Sequence, residues 1–245
     1  MDVEVKPGER VDDLGRGGFR ILQDPKCFCF GIDAVLLSWF SRVKPNEEVM
    51  DLCSGTGIVP ILMRARYGAG QYTALELQEA MADMAARSVQ MNGLGDCIQV
   101  VQGDVKNASA RFGRGVFDVI TVNPPYRKAG NGKENPEKAL ALARHEIACT
   151  LEDVIQEGAA LLKPRGRFYL VHLPERLPEI MTLLAANGLA PERLQTAHSR
   201  EDSPAAMVFI SAVKGGRNAL QVEPPVVIYG PDGNYTEEIR RIYNE

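Results

Sequence analysis

The run Glu48-Val49-Met50-Asp51-Leu52-Cys53 leading into Ser54-Gly55-Thr56-Gly57 restricts the folds open to this chain more than any other stretch. It reads as a buried strand that stops at a glycine turn and gives way to a helix, Ile58 to Tyr67. Pro60 falls in the first turn of that helix, where a missing N–H costs little. A second apolar strand, Tyr72 to Leu75, ends in Glu76, and twenty-one positions separate Gly55 from Glu76. A nucleoside-binding βαβ unit places about that interval between its glycine turn and its ribose acid. A third unit follows. A helix from Gln78 to Asn92 offers Ala80, Met84, Ala85 and Val89 as a buried stripe, and Asn92-Gly93 closes it. Next come the strand Ile98 to Val101 and Gly103-Asp104-Val105. Strands alternating with helices in this way predict a parallel sheet covered on both faces.

The fourth strand, Phe117-Asp118-Val119-Ile120-Thr121-Val122, halts at Asn123-Pro124-Pro125-Tyr126. Two prolines cannot continue a ladder, so the chain leaves the sheet rigidly, with an amide and an aromatic ring at the strand's carboxyl end. Ligands of open α/β sheets bind at that edge. The Asn123 and Pro124 carbonyls can each accept one N–H of a planar amine, turning its delocalised lone pair towards an electrophile. Tyr126 can stack on a base. The chemistry these residues suggest is methyl transfer to nitrogen. In the same frame Ser54, Gly55, Thr56 and Gly57 admit a nucleoside, Glu76 accepts its ribose hydroxyls with Leu77 adjacent, and Asp104 reads an adenine amino group beside Val105. Asp104 next to Gly103 also fits a turn aspartate.

A net charge of −4 argues against a general nucleic-acid coat protein, without excluding an enzyme that grips one RNA through a local patch. The five cysteines (27, 29, 53, 97 and 149) are scattered, and Cys27-x-Cys29 lacks the second pair a zinc site needs, so free thiols and no metal are expected. With no apolar run of membrane-spanning length and an acidic Met1-Asp2-Val3-Glu4 opening, the expected location is the cytoplasm.

Residues 1–45 read as an entry segment, 46–215 as the core and 216–245 as a tail, together one domain. Leu14 to Leu22 predicts a hairpin turning on its glycines. Asp33, before Ala34-Val35-Leu36-Leu37, reads as a helix N-cap, with a site role as the second reading because Phe30-Gly31 would bring backbone close to a ligand. After Tyr126, the polar stretch from Arg127 to Pro136 reads as a loop. Its Arg127, Lys128 and Lys133 either meet phosphates or stay solvated. Arg144-His145-Glu146 suggests a structural or substrate-positioning role for His145. Thr150 caps a helix to Leu162, Lys163-Pro164-Arg165-Gly166 is a turn, and Arg167 to Val171 is the fifth strand. Pro178 to Asn187 is helical, Pro191 to Ala197 and Ala205 to Val213 are the last strands, and Thr236-Glu237-Glu238 opens a short helix.

Taken in order, Asp51-Leu-Cys-Ser-Gly-Thr-Gly57, Glu76, Gly103-Asp104 and Asn123-Pro-Pro-Tyr126 resemble the motifs of a Rossmann-like S-adenosylmethionine-dependent methyltransferase of the amino-methylating branch. Three further segments are similar to the bacterial tRNA-Val adenine-N6-methyltransferase family: Phe30-Gly-Ile-Asp-Ala-Val-Leu-Leu37, Ala143-Arg-His-Glu146, and Val227-Ile-Tyr-Gly230 with Asn234-Tyr-Thr236. The resemblance implies a doubly wound α/β sheet of about seven strands whose last strand is antiparallel. It also implies a bound S-adenosylmethionine, and a tRNA anticodon loop as partner. In such enzymes Asp51 supports the loop and the methionine end of the cofactor. The chain departs from the family at Cys53, where a glycine is common. Two rivals stand beside this expectation: methylation of a protein glutamine or an rRNA base by the same tetrapeptide, and a non-catalytic RNA-binding protein of the same fold.

Overall fold

A computed structural model describes residues 3–27, 29–68, 70–125, 149–217 and 219–244. An N-terminal hairpin, β1 (Arg10–Asp13) and β2 (Arg20–Gln23), turns on the glycine-rich 14–19 loop, in which Gly15, Gly17 and Gly18 all take positive φ. Helix α1 (Ile32–Phe40) follows. The core then alternates as the spacing predicts: β3 (Glu48–Leu52), α2 (Ile58–Tyr67), β4 (Gln71–Glu76), α3 (Glu79–Met91), β5 (Ile98–Gln102), a 3-10 turn (Val105–Asn107) with the short α4 (Ala108–Phe112), and β6 (Phe117–Val122). Beyond residue 148 come α5 (Leu151–Leu161), β7 (Leu162–His172), α6 (Leu177–Ala186), β8 (Leu189–His198) and β9 (Ala205–Lys214). The tail adds β10 (Gln221–Val222), β11 (Val226–Val227) and α7 (Glu237–Asn244).

Among the described residues nine strands form the main sheet, in the order β10-β8-β9-β7-β6-β3-β4-β5, with β11 also on β8. Seven are the expected ones. β3, β4, β5, β6 and β7 run parallel, and β9 lies antiparallel between β7 and β8. The two additions, β10 and β11, are two-residue strands parallel to β8 that the tail contributes. They are too short to leave a period-2 signal.

Successive strand residues face opposite sides, and the core divides accordingly. Val49, Val119, Tyr169 and Phe209 belong to one apolar cluster with α1 and α2, while Met50, Ile120, Phe168 and Ile210 belong to another with α5. Tail residues Val226, Ile228, Ile239 and Ile242 join the first cluster, so the tail is part of the packed body. Arg193 ties it down: its guanidinium lies 4.3 Å from the Phe40 ring centroid and grips Glu223 through two hydrogen bonds of 2.6 and 2.9 Å.

Several local expectations change. Lys163 to Gly166 lies within β7 rather than in a turn, and the slack is taken up by a register shift against β6 and a positive φ at Arg165. Ala80 is exposed, and Met81 takes the buried place on α3. Thr150 does cap α5, in a capping box with Asp153. No helix among the described residues is long and apolar enough to cross a membrane.

Candidate active site

The carboxyl ends of β6, β3 and β4 bring the candidate residues onto one rung. Leu52 pairs with both Val122 and Leu75, so Asn123, Cys53 and Glu76 each stand one residue further on, side by side. Neighbouring strands lie about 4.8 Å apart, which puts Asn123 and Glu76 roughly 10 Å from each other across the mouth of β3. Asn123 and Pro125 are half-buried and Pro124 is buried. Tyr126, Arg127, Lys128, Lys133, Arg144 and His145 lie outside the described residues.

The glycine turn is built from alternating left-handed residues, with φ of 59° at Cys53, 58° at Gly55 and 81° at Gly57. Only at Cys53 does a side chain accept that conformation, which L residues enter at a cost. Gly57 is confined in space as well: a Cβ there would stand 3.3 Å from that of Ala85 on α3, so the turn and the third helix are in direct contact. The Gly55 N–H donates to Glu76 Oε2 at 2.8 Å, and the Gln78 N–H donates to Oε1 at 2.9 Å. Each Glu76 oxygen therefore holds one backbone amide. A carboxylate has about four lone-pair directions, so acceptor capacity remains for hydroxyl donors. Leu77, 41% exposed, lies open beside it.

Beneath the turn, Asp51 is fully buried and accepts two hydroxyls at 2.6 Å each, from Ser54 and from Thr121. Burial pushes its carboxyl up to about 7, against the two hydrogen bonds, and the charge of Glu76 adds to the rise. Thr121 is the functional neighbour that sequence reading missed; as a β-branched residue in a strand it carried no other signal. Ser54 and Thr56 are buried in the turn itself. The Cys53 thiol is held well above its ordinary range by a hydrogen bond with Cys149 and then by burial. The neighbourhood of Cys149 with the glycine turn was not foreseen.

On the far side of β4, Asp104 caps the 3-10 turn after β5, its Oδ1 accepting the Lys106 N–H at 3.0 Å. The turn role weighed from sequence is thus present, on the same edge as Glu76, while Val105 turns its side chain into the core. Asp33 corrects the expected cap. Gly31 is the N-cap of α1 and Asp33 sits buried in the first turn, its Oδ1 accepting the Ala34 N–H at 3.0 Å. The carboxylate folds back over Gly31 so closely that a Cβ there would meet it at 2.7 Å, which explains a glycine at the cap. His172, at the end of β7, is a buried neutral imidazole, lowered to about 4 chiefly by burial.

This arrangement can hold a nucleoside across β3 and β4 and present Asn123 beside it. Among the described residues no cluster of side chains could hold a metal ion. The sequence profile described as the methyltransferase small domain matches residues 20–184. A Porphyromonas gingivalis protein named tRNA1(Val) (adenine(37)-N6)-methyltransferase is 25% identical over 221 residues, covering 86% of each chain. Among solved structures, a predicted O-methyltransferase from Agrobacterium tumefaciens superposes with a TM-score of 0.70 at 21% identity, over 86% of this chain and 95% of that one. A geranyl diphosphate C-methyltransferase from Streptomyces coelicolor, crystallised with S-adenosyl-L-homocysteine, matches with a TM-score of 0.53 at 14% identity, over 75% of each chain.

Proposed function

This chain belongs to the methyltransferase small domain family, and on that premise we propose that it is an S-adenosylmethionine-dependent enzyme that methylates the N6 amine of an adenine in a tRNA anticodon loop. The observation that carries the reading is the shared rung of Asn123 and Glu76 on either side of β3, which supports one as the amine-orienting amide and the other as the acid holding the ribose of a single bound cofactor. The site fits the cofactor. The left-handed turn from Cys53 to Gly57 keeps the floor free of side chains at Gly55 and Gly57. Glu76 keeps acceptor capacity for ribose hydroxyls, and Leu77 offers an open apolar surface for a base. Asp104 would accept from the adenine amino group, and Asp51, through Ser54, supports the turn. When bound, S-adenosylmethionine supplies an electrophilic methyl group on a sulfonium.

The chain's own residues supply orientation. An exocyclic adenine amine is a weak nucleophile, because its lone pair is delocalised into the ring. Asn123 Oδ1 and the Pro124 carbonyl each accept one of its N–H bonds, which turns the lone pair out of the ring plane. The two prolines hold both acceptors still, and Tyr126, outside the described residues, is the ring the sequence offers for stacking on the base. No strong base is needed: the methylated nitrogen is cationic until it loses a proton, which it does readily to water. An anticodon loop suits such a site because its unpaired bases swing out at small cost. The name of the Porphyromonas relative, which shares most of its length with this chain, favours the same substrate.

Transfer of tritium from labelled S-adenosylmethionine into total tRNA, followed by nucleoside analysis, tests the proposal. Label in N6-methyladenosine is the expected result. Label only in protein moves the reading to a glutamine side chain, and label in neither removes it.

A further inference from the structure

Three tyrosines of the tail form a continuous stack that the site above does not use. Tyr229 and Tyr235 lie 5.4 Å apart between ring centroids with their planes 20° from parallel, and Tyr235 and Tyr243 lie 5.7 Å apart at 17°. The backbone fixes the stack. Tyr229 and Tyr235 face each other in an antiparallel bridge, the Gly230 N–H donates to Asn234 O, and the Thr236 N–H donates to Ile228 O. Below, Tyr243 packs against the first core cluster and lies within 4.0 Å of a Cβ built on Gly15. The stack is thus anchored in the core at one end and open at the other. Tyr229 and Tyr235 remain 38% and 37% exposed, and they are the exposed aromatic residues among those described.

Its place in the fold matters as much as its shape. β11 runs parallel to β8, which has the same direction as β6, so the chain leaving β11 emerges on the edge of the sheet that carries Asn123. There the Ile228 and Tyr229 N–H groups donate to the carbonyls of His198 and Ser199, just past the end of β8. From β6 to β11 is four strand spacings, so Tyr229 stands on the order of 20 Å from Asn123. A ring that far away cannot touch the base being methylated, but a neighbouring nucleotide of the same strand can reach it. Arg200, next in sequence to Ser199, and Arg240, on α7, are exposed and carry charge suited to phosphates, among the exposed acids Glu201, Asp202 and Asp232.

We propose that the outer face of Tyr229 is a second nucleotide site, on which an unpaired base of the RNA substrate, other than the one methylated, stacks during binding. Ring-on-base stacking tolerates any base, because all four present a π-face. The rigid three-ring stack supplies that face with little ordering cost on the protein side. The site sets affinity and placement of the strand and takes no part in the chemistry. The proposal rests on the RNA reading above.

The test uses the wild-type protein and an RNA stem-loop of the substrate, with 2-aminopurine placed at each unpaired loop position in turn. Methylation of the unmodified stem-loop is measured first. Quenching on binding is expected at one position besides the methylated adenine, and is lost with Tyr229→Leu. The same variant should bind the stem-loop roughly 5- to 100-fold more weakly, while Tyr229→Phe binds it as wild type and both variants keep cofactor affinity. If the wild type methylates the stem-loop but shows no second quenched position, or Tyr229→Leu leaves that quenching in place, the stacking site is wrong and the enzyme reading stands. If the wild type methylates no RNA, or labels a protein instead, the enzyme reading fails and the stacking site falls with it. The wild-type scan decides the matter even if Tyr229→Leu does not fold.

Discussion

The Thr121 hydroxyl donates to Asp51 across 2.6 Å, joining β6 to β3 two residues before Asn123 and two before Cys53. One hydrogen bond therefore links the strand that delivers the Asn123-Pro124-Pro125 turn to the strand that opens the glycine turn. Replacing Thr121 by Val keeps the shape but leaves a buried carboxyl short of a donor, at a cost of about 1–3 kcal/mol. Urea denaturation should show that loss. Turnover should fall further than stability explains, since the two turns lose their common tie. Wild-type denaturation midpoint and rate in Thr121→Val would show the contact to be idle.

Acid and base act oppositely on two buried groups. Asp51 is raised to about 7, so its contribution to stability is complete below the unfolded value near 3.8 and is lost as pH rises through 7. His172 is lowered to about 4, so its contribution is present above 6.5 and is lost as pH falls through 4. Each spans up to about 3–4 kcal/mol at 1.36 kcal/mol per pH unit. The two slopes largely cancel between pH 4 and 6.5. Asp51→Asn should make the protein more acid-sensitive than wild type across that range, and His172→Gln less so. Melting temperatures at half-unit pH intervals check both, and parallel curves for all three proteins would refute the assignment.

Glu76 holds two backbone amides in the free protein and, in our reading, two ribose hydroxyls when cofactor is bound. Glu76→Ala removes all four. Hydrogen bonds to a charged group contribute about 1.5–3 kcal/mol each, so cofactor affinity should drop at least 10-fold, with Glu76→Gln intermediate. Calorimetric titration of S-adenosylhomocysteine measures this directly. Equal affinity in Glu76→Ala would move the nucleoside elsewhere.

Asn123 tests the chemistry separately from binding. Asn123→Ala should lower kcat by roughly 100-fold or more, the scale seen when a polar group positioned for the transition state is removed. Cofactor affinity should stay within about 3-fold, because Glu76 and the glycine turn are untouched. Single-turnover kinetics with saturating cofactor is the measurement. Unchanged kcat would take the amine-orienting role away from this amide.

Much of this architecture was legible because its signals are local. Strand, glycine turn, helix and acid recur at fixed spacing from Glu48 to Glu76, and β3, α2 and β4 lie where that spacing puts them. The capping box at Thr150 was equally plain. What escaped depends on distant contacts. Asp33 has the composition of a cap, yet Gly31 takes the position because the carboxylate folds back over it. Thr121 looked like any strand threonine until Asp51 stood opposite. The strands β10 and β11 exist only because β8 offers an edge to pair with. Tyr229, Tyr235 and Tyr243 are spread over fifteen positions with no periodicity, and the hairpin and helix of the tail bring their rings together.

The same tail sets a schedule for biosynthesis. Leu14 and Ile21 near the start of the chain share one core cluster with Val226, Ile228, Ile239 and Ile242. While the chain grows on the ribosome, the part of that face which Val226, Ile228, Ile239 and Ile242 cover stays open, beside α1 and α2, until the tail has been made. A nascent chain stalled before residue 226 would expose both the bare margin of β8 and this greasy face, and would be a natural client for chaperones.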